Sequence, residues 1–274
     1  MAIVALVPVK PLVFALLEGV SEQPPSVSAR QALATMAKRA STTPSLRESG
    51  LEALAREIES CRRCPRLVAW REQVAREKRA AYAHEEYWGR PLAGFGDPAA
   101  RIAILGLAPA AHGGNRTGRV FTGDRSGDFL FAALWRAGLA NQPSSVHRGD
   151  GLALQGCWIT AAVRCAPPAN RPTPQERDGC LPYARSELAL LEDVRVIVCL
   201  GAFAWDAALR LGGEPARPRP RFAHAAEHRA AGGTVLLGSF HVSQQNTFTG
   251  RLTPAMLDAV LARALELAGG AGTA

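Results

Sequence analysis

The sequence predicts an α/β domain built on a short, mostly parallel four-stranded sheet. Four apolar runs recur along the chain, helical patterns separate them, and polar segments punctuated by Gly and Pro follow them. The first element is a helix over 46–61, where Leu51, Leu54 and Ile58 share one face. RIAILGLAP (101–109) reads as a buried strand entering a loop, and 126–139 as a helix with Ser126 at its cap position. CWITAAVRC (157–165) is a second strand. TPQE (173–176) is a capping box opening a helix that runs to about Leu191. VRVIVCLG (194–201) is the third strand, followed by a helix that ends at Gly212. TVLLGSFH (234–241) is the fourth, and Thr253-Pro254 starts a last helix. Ligands of such sheets bind beyond the carboxyl ends of the strands, which selects the loops 106–125, 165–173 and 241–252.

Composition narrows the function classes. With 47% hydrophobic and 20% charged residues over 274 positions, a wholly disordered chain is excluded. No apolar run approaches the ~18 residues a membrane helix needs. Net charge is +8, and only Lys10, Lys38 and Lys78 among the 32 basic residues are lysine. Such a balance points to an anionic partner, nucleic acid first, with equal weight for a genome whose GC content inflates Arg and Ala together. Residues 1–46 lack the basic start of a signal peptide, Lys10 and Glu18 interrupt their apolar stretch, and a Ser/Thr/Pro-rich segment follows. They are expected to be a disordered tail on a cytoplasmic monomer whose single domain spans 47–274, with Met36 as an alternative start.

Six cysteines in a reducing compartment argue against disulfides. Cys199 lies inside an apolar strand, and Cys157 opens one without a partner by spacing. Cys61 and Cys64 form a C-x2-C pair, and Cys165 and Cys180 flank a Pro-rich loop. Four thiolates hold either a zinc ion or a [4Fe–4S] cluster, and the spacing leaves both open.

The first loop, GLAPAAHGGNRTGRVFTGDRSG, is neither a Walker loop nor a dinucleotide fingerprint. The last, HVSQQNTFTGRL, sets a His at a strand end before a dense row of hydrogen-bonding side chains. Four co-linear segments, CRRCPRLVAWRE (61–72), GFGDPAARIAILGLAPAAHGGNRTGRVFTGD (94–124), ITAAVRCAPPANRPTPQE (159–176) and HVSQQNTFTGRLT (241–253), resemble the uracil-DNA glycosylase superfamily, and within it family 5, the type B enzymes. The resemblance implies a three-layer α/β/α sandwich. It also implies a [4Fe–4S] cluster on Cys61, Cys64, Cys165 and Cys180, and removal of uracil and other deaminated or damaged bases (hypoxanthine, xanthine, ethenocytosine) from DNA.

Cleaving an N-glycosidic bond needs a flat surface for the flipped base, donors for its carbonyl oxygen, and a carboxylate for the sugar cation or the water. Phe121 offers the surface. The main chain around Gly106, Ala108, Ala110 and Ala111 offers donors, and His241 can donate to the departing base. Asp124 is the one acidic residue between Gly106 and Asp128 and falls on the family's aspartate. Asn170 also falls on a position the family uses, to hold water or base. Other families carry a polar or acidic residue where this chain has Leu107 and Ala108, so the water-activating role moves to Asp124. All lysines precede the first core strand, which argues for direct hydrolysis without a lyase step. Small walls at Ala110, Ala111 and Ala161 suit a broad substrate range. Phosphate contacts are expected from Arg116, Arg119, Arg125, Arg171 and Arg251, and a wedge from Gln244–Phe248. The 212–233 segment is a further basic loop. By pattern alone Asp124 reads as a helix cap ahead of a catalytic group, Phe121 reads as core, and His241 is equally a strand-end histidine. The competing function is a damaged- or single-stranded-DNA-binding protein on the same scaffold.

Overall fold

A computed structural model describes residues 45–213 and 218–269. Residues 1–44 of the tail expected over 1–46, and 214–217 of the basic loop, lie outside the described residues. Helix α1 (Leu46–Glu59) begins earlier than the domain boundary at 47, because Ser45 and Glu48 form a reciprocal capping box. Helix α2 (Pro65–Glu77) follows. The sheet and its crossovers are β1 (Phe95–Gly96), β2 (Ile102–Gly106), α3 (Gly114–Thr117), α4 (Arg125–Arg136), β3 (Cys157–Ala161), α5 (Pro174–Leu190), β4 (Val196–Leu200), α6 (Ala202–Leu211), β5 (Glu227–Arg229), β6 (Val235–Ser239), α7 (Gln244–Phe248) and α8 (Pro254–Gly269).

The strand order is β1-β3-β2-β4-β6-β5. The four predicted strands form the parallel centre, with Ile104 opposite both Ile159 and Val198, and Val198 opposite Leu237. The sheet has six strands rather than four, because β1 and β5 add antiparallel edges. These edges are two and three residues long and carry no apolar run for the sequence to show.

Pleating sorts each central strand onto two faces. Ile102, Ile104, Val196 and Val198 pack with α4 and α8 through Leu130, Leu134, Leu257 and Leu261. Ala103, Leu105, Ile197 and Cys199 pack with α6 through Ala204, Trp205 and Ala208. This is the α/β/α sandwich. On α1, Leu54 and Ile58 pack against Tyr183 of α5.

One buried ion pair ties the layers together. Glu187 of α5 accepts from Arg164 Nη1 and Nη2 at 2.9 and 2.8 Å, from Thr160 Oγ1 at 2.6 Å and from the Gly94 amide at 2.7 Å. The two charged side chains are 1% and 2% exposed. A carboxylate so placed is tolerated because four donors converge on it, two of them from the opposite charge.

Two elements depart from the sequence expectation. Helix α4 is capped by Asp124, not Ser126: Asp124 Oδ1 accepts from the Gly127 amide at 3.0 Å. Helix α2 was unmarked by periodicity because Arg71 occupies the buried position one turn beyond Leu67.

Removing the shared acceptor leaves Arg164 buried and unpaired. Glu187→Ala is expected to cost about 3–5 kcal/mol of stability, read from the denaturant midpoint, and a loss under 1 kcal/mol would contradict this account of the pair.

Candidate active site

The carboxyl ends of β2 and β6 bring the main sequence candidates together. Gly106 ends β2 under the Phe121 ring, where a methyl on Gly106 would lie 2.7 Å from two ring carbons. Only glycine permits this approach. Phe121 holds a left-handed backbone (φ 54°), a strained state for a bulky residue. Its ring centroid lies 6.2 Å from that of His241, two residues beyond β6. His241 is fixed through its carbonyl, which accepts from Asn246 Nδ2 at 2.8 Å. Burial pushes its imidazole down to about 4, so the ring is neutral near pH 7.

Asp124 is both cap and candidate carboxylate. Oδ1 is held by the α4 amide, while Oδ2 lies so close to Gly113 that any side chain there would collide with it. Burial raises the affinity of Asp124 for a proton; amides of Gly127 and Ser126 oppose the shift, and Asp128 adds to it. In the same turn, the amides of Ala108, Ala110 and Ala111 find no acceptor among the described residues. Unsatisfied donors of this kind suit a ligand carbonyl.

Four candidates lie elsewhere or do other work. Arg116 is buried: Nε donates to His112 O at 2.8 Å, Nη2 to Gly123 O at 2.8 Å, Nη1 pairs with Glu85, and the guanidinium covers Tyr82. Arg119 is buried too, bound to Thr122, Ser145 and Asp150 at 3.1, 2.6 and 2.6 Å. Both are withdrawn from the surface where phosphate contacts were expected, and their hydrogen bonds brace the loop. Ala108 packs against Leu67, Val163, Cys165 and Cys180, away from Phe121. Asn170 is exposed, in a left-handed pair with Ala169, and its side chain has no hydrogen bond among the described residues.

Arg125, Arg171, Gln244 and Arg251 are exposed. Arg125 lies over the ring of Phe248, and Arg251 over that of Phe240. Phe248 ends α7 with 68% of its surface exposed. Sequence reasoning missed the Trp88 clasp, in which the guanidiniums of Arg90 and Arg148 sit 4.4 and 4.5 Å from one indole. It also missed Glu85 and Asp150, which neutralise the two loop arginines. Their spacing, 31 residues from each partner, leaves no local signal.

Cys61, Cys64, Cys165 and Cys180 line one small cavity with Arg63, Arg164 and Tyr183. All are free thiols, as are Cys157 and Cys199, which are buried in strands. Among the described residues no three His, Cys, Asp or Glu side chains converge as a single ion requires. The four thiols surround a space, not a point, and this donor set fits a sulfur-ligated cluster better than a lone ion. Burial pushes the Cys165 thiol up to about 12 and raises Cys64 and Cys180. Bound iron would reverse that, since its charge favours thiolate.

Residues 93–265 match the family model of the uracil DNA glycosylase superfamily. The chain belongs to this superfamily. It is similar to the type-5 uracil-DNA glycosylase of Mycobacterium bovis, with 58% identity over 77% of this chain and 80% of the relative. It is similar to that of Thermus thermophilus, with 54% identity over 80% and 98%. A type-4 uracil-DNA glycosylase of Pyrobaculum aerophilum matches at 34% over 48% of this chain and 59% of the relative. The superfamily domain therefore covers the Phe121–His241 site, while Cys61 and Cys64 precede the matched span.

Because His241 is neutral when folded and near 6.5 when unfolded, the unfolded chain takes up more protons as pH falls. Stability is expected to fall from about pH 6.5 to about pH 4, and His241→Asn to flatten that limb of a denaturation–pH series. An imidazole NMR titration with a midpoint at 6.5 would contradict the burial argument.

Proposed function

We propose that this chain is a DNA glycosylase that extrudes uracil from DNA and hydrolyses its N-glycosidic bond, leaving an abasic site. The observation that carries this is the packing of Phe121 over Gly106 and next to His241, with the Asp124 carboxyl three residues further along the same loop, in a chain whose superfamily relatives are named for that reaction.

The flipped base lies against Phe121, with its carbonyl toward the free amides of Ala110 and Ala111. As the bond to C1′ breaks, the electron pair leaves with the base, and the neutral His241 ring donates a hydrogen bond to the developing anion. A neutral ring suits this task, since it donates without surrendering its proton. Asp124 Oδ1 is anchored, and the carboxylate stabilises the sugar cation and orients a water. Water adds its hydroxyl to C1′, and its proton ends on the base. Lys78, the lysine among the described residues, spends its Nζ on Ala83 O at 3.4 Å, consistent with hydrolysis and no lyase step.

The walls at Ala110, Ala111 and Ala161 support a range that includes hypoxanthine, xanthine and ethenocytosine. DNA is held by the exposed Arg125, Arg171 and Arg251 with Gln244, and Phe248 is the wedge. The cysteine cavity holds a [4Fe–4S] cluster that braces α1 and α2 against α5, a structural task. No helix of the described residues is long and apolar enough to cross a membrane, and we propose a cytoplasmic monomer.

Asp124→Asn keeps a good helix cap, so its effect reports chemistry. Uracil release from an oligonucleotide is expected to fall about 10²–10⁴-fold with folding intact. Unchanged release would remove Asp124 from the reaction, and binding without release by the wild type would leave a non-catalytic DNA binder. Phe248→Ala is expected to slow release from duplex DNA about tenfold while sparing single strands, in keeping with the worth of one aromatic–base stack. Equal loss on both substrates would sink the wedge assignment. Anaerobically purified protein is expected to carry four irons and four sulfides per chain, lost in Cys165→Ala; an iron-free wild type would refute the cluster.

A further inference from the structure

Six buried side-chain nitrogen or oxygen atoms lack a hydrogen-bond partner among the described residues, and three of them belong to two guanidiniums: Nε and Nη1 of Arg71 and Nε of Arg164. A buried charged donor left without an acceptor costs about 1–3 kcal/mol or more, so their concentration asks for an acceptor.

Arg164 belongs to the cysteine cavity, and Arg71, which lines a neighbouring cavity with Glu59 and Glu72, reaches the cysteines through the Cys61 carbonyl. Arg164 lines the cavity directly, next in sequence to Cys165. Its Nη1 and Nη2 are consumed by Glu187, which leaves Nε. Arg71 is 2% exposed and lies one turn beyond Leu67, which packs on Cys165 and Cys180. Its Nη2 donates to the carbonyl of Cys61 at 3.2 Å, and its charge favours the Cys165 thiolate.

The other charges near the cavity are spoken for. Glu176 is held by Arg66 at 2.7 Å, Arg164 is neutralised by Glu187, and Arg63 is exposed over the Tyr183 ring. Glu72 lies 3.8 Å from Arg71 but is held more closely by Arg62. Arg71 is thus a buried cation whose nearest anion is shared with Arg62 and whose Nε and Nη1 have no acceptor among the described residues. Four thiolates around an iron–sulfur core carry net negative charge and sulfur acceptors.

We propose that Arg71 and Arg164 donate their orphaned N–H groups to the iron–sulfur cluster, and that Arg71 sets its reduction potential as its buried counter-charge. This rests on the cluster reading above. Arg71 is a positioning residue: it does not touch the base or the reacting sugar.

The test uses holoprotein purified anaerobically, comparing wild type with Arg71→Gln and Arg71→Lys by potentiometric titration and by the rate at which a chelator bleaches the cluster absorbance. In Arg71→Gln the ratio of reduced to oxidised cluster at a fixed potential is expected to fall roughly tenfold, and bleaching to quicken several-fold. Arg71→Lys keeps the charge and is expected to recover most of the ratio. A ratio and bleaching rate unchanged in Arg71→Gln overturn the proposal. If Arg71→Gln does not fold, wild type labelled with ¹⁵N-arginine decides: pulsed electron paramagnetic resonance of the reduced cluster is expected to show guanidinium nitrogen coupling, and its absence overturns the proposal. Iron-free wild type refutes the cluster reading itself, and this inference with it; iron-loaded wild type with an inert Arg71 refutes only the inference.

Discussion

The Arg164–Glu187 pair is the constraint around which the rest of the chain is arranged. Its carboxylate, carried by α5, collects donors from β3, from the segment after β3 and from the turn before β1. No member can shift without stranding a buried charge, which is the condition under which such pairs cost most to break. Cys165 follows Arg164 directly, and Cys180 lies two turns before Glu187 on α5. The pair therefore fixes where both of these thiols stand. The candidate active site lies elsewhere, at the ends of β2 and β6.

The site itself depends on keeping water out. Phe121 roofs Gly106 in a strained backbone, and that strain is paid for by packing within the large apolar cluster under α4 and α8. The same enclosure keeps His241 uncharged and Asp124 reluctant to ionise. A single physical cause, burial, therefore prepares a neutral donor and a basic carboxylate at one strand edge. Arg116 and Arg119 make this possible from below. By crossing the loop to Gly123 O, Ser145 and Asp150 they hold it shut, a role available only to side chains withdrawn from the surface.

What could be read in the sequence followed from local rules. The four central strands, the Thr173 capping box and the helix after Gly201 are written in runs and caps of a few residues. The edge strands β1 and β5 were illegible because two or three residues make no pattern. Helix α2 was illegible because a buried arginine interrupts its apolar stripe. Of the site, a motif marks Gly106, Phe121, Asp124 and His241, and the structure sets Phe121 over Gly106 and beside His241. The burial of Arg116 and Arg119 was illegible because charge suggests a surface, and the acids that pair with them lie 31 residues away. The packing of the Ala108 methyl against the cysteine cluster left no mark in the sequence either.

The double duty of Asp124 has an evolutionary consequence. One oxygen of the Asp124 carboxyl starts helix α4, and the proposed reaction sets the other beside the sugar. Under that proposal, replacements that bring no capping oxygen remove the carboxylate and fray a helix of the main core together, so inactive descendants of that kind are less stable and are cleared as protein. Asparagine, serine and threonine cap without charge. A lineage leaving catalysis while keeping the scaffold has its exits through those few residues, and one of them at this position would mark a paralogue that has taken it.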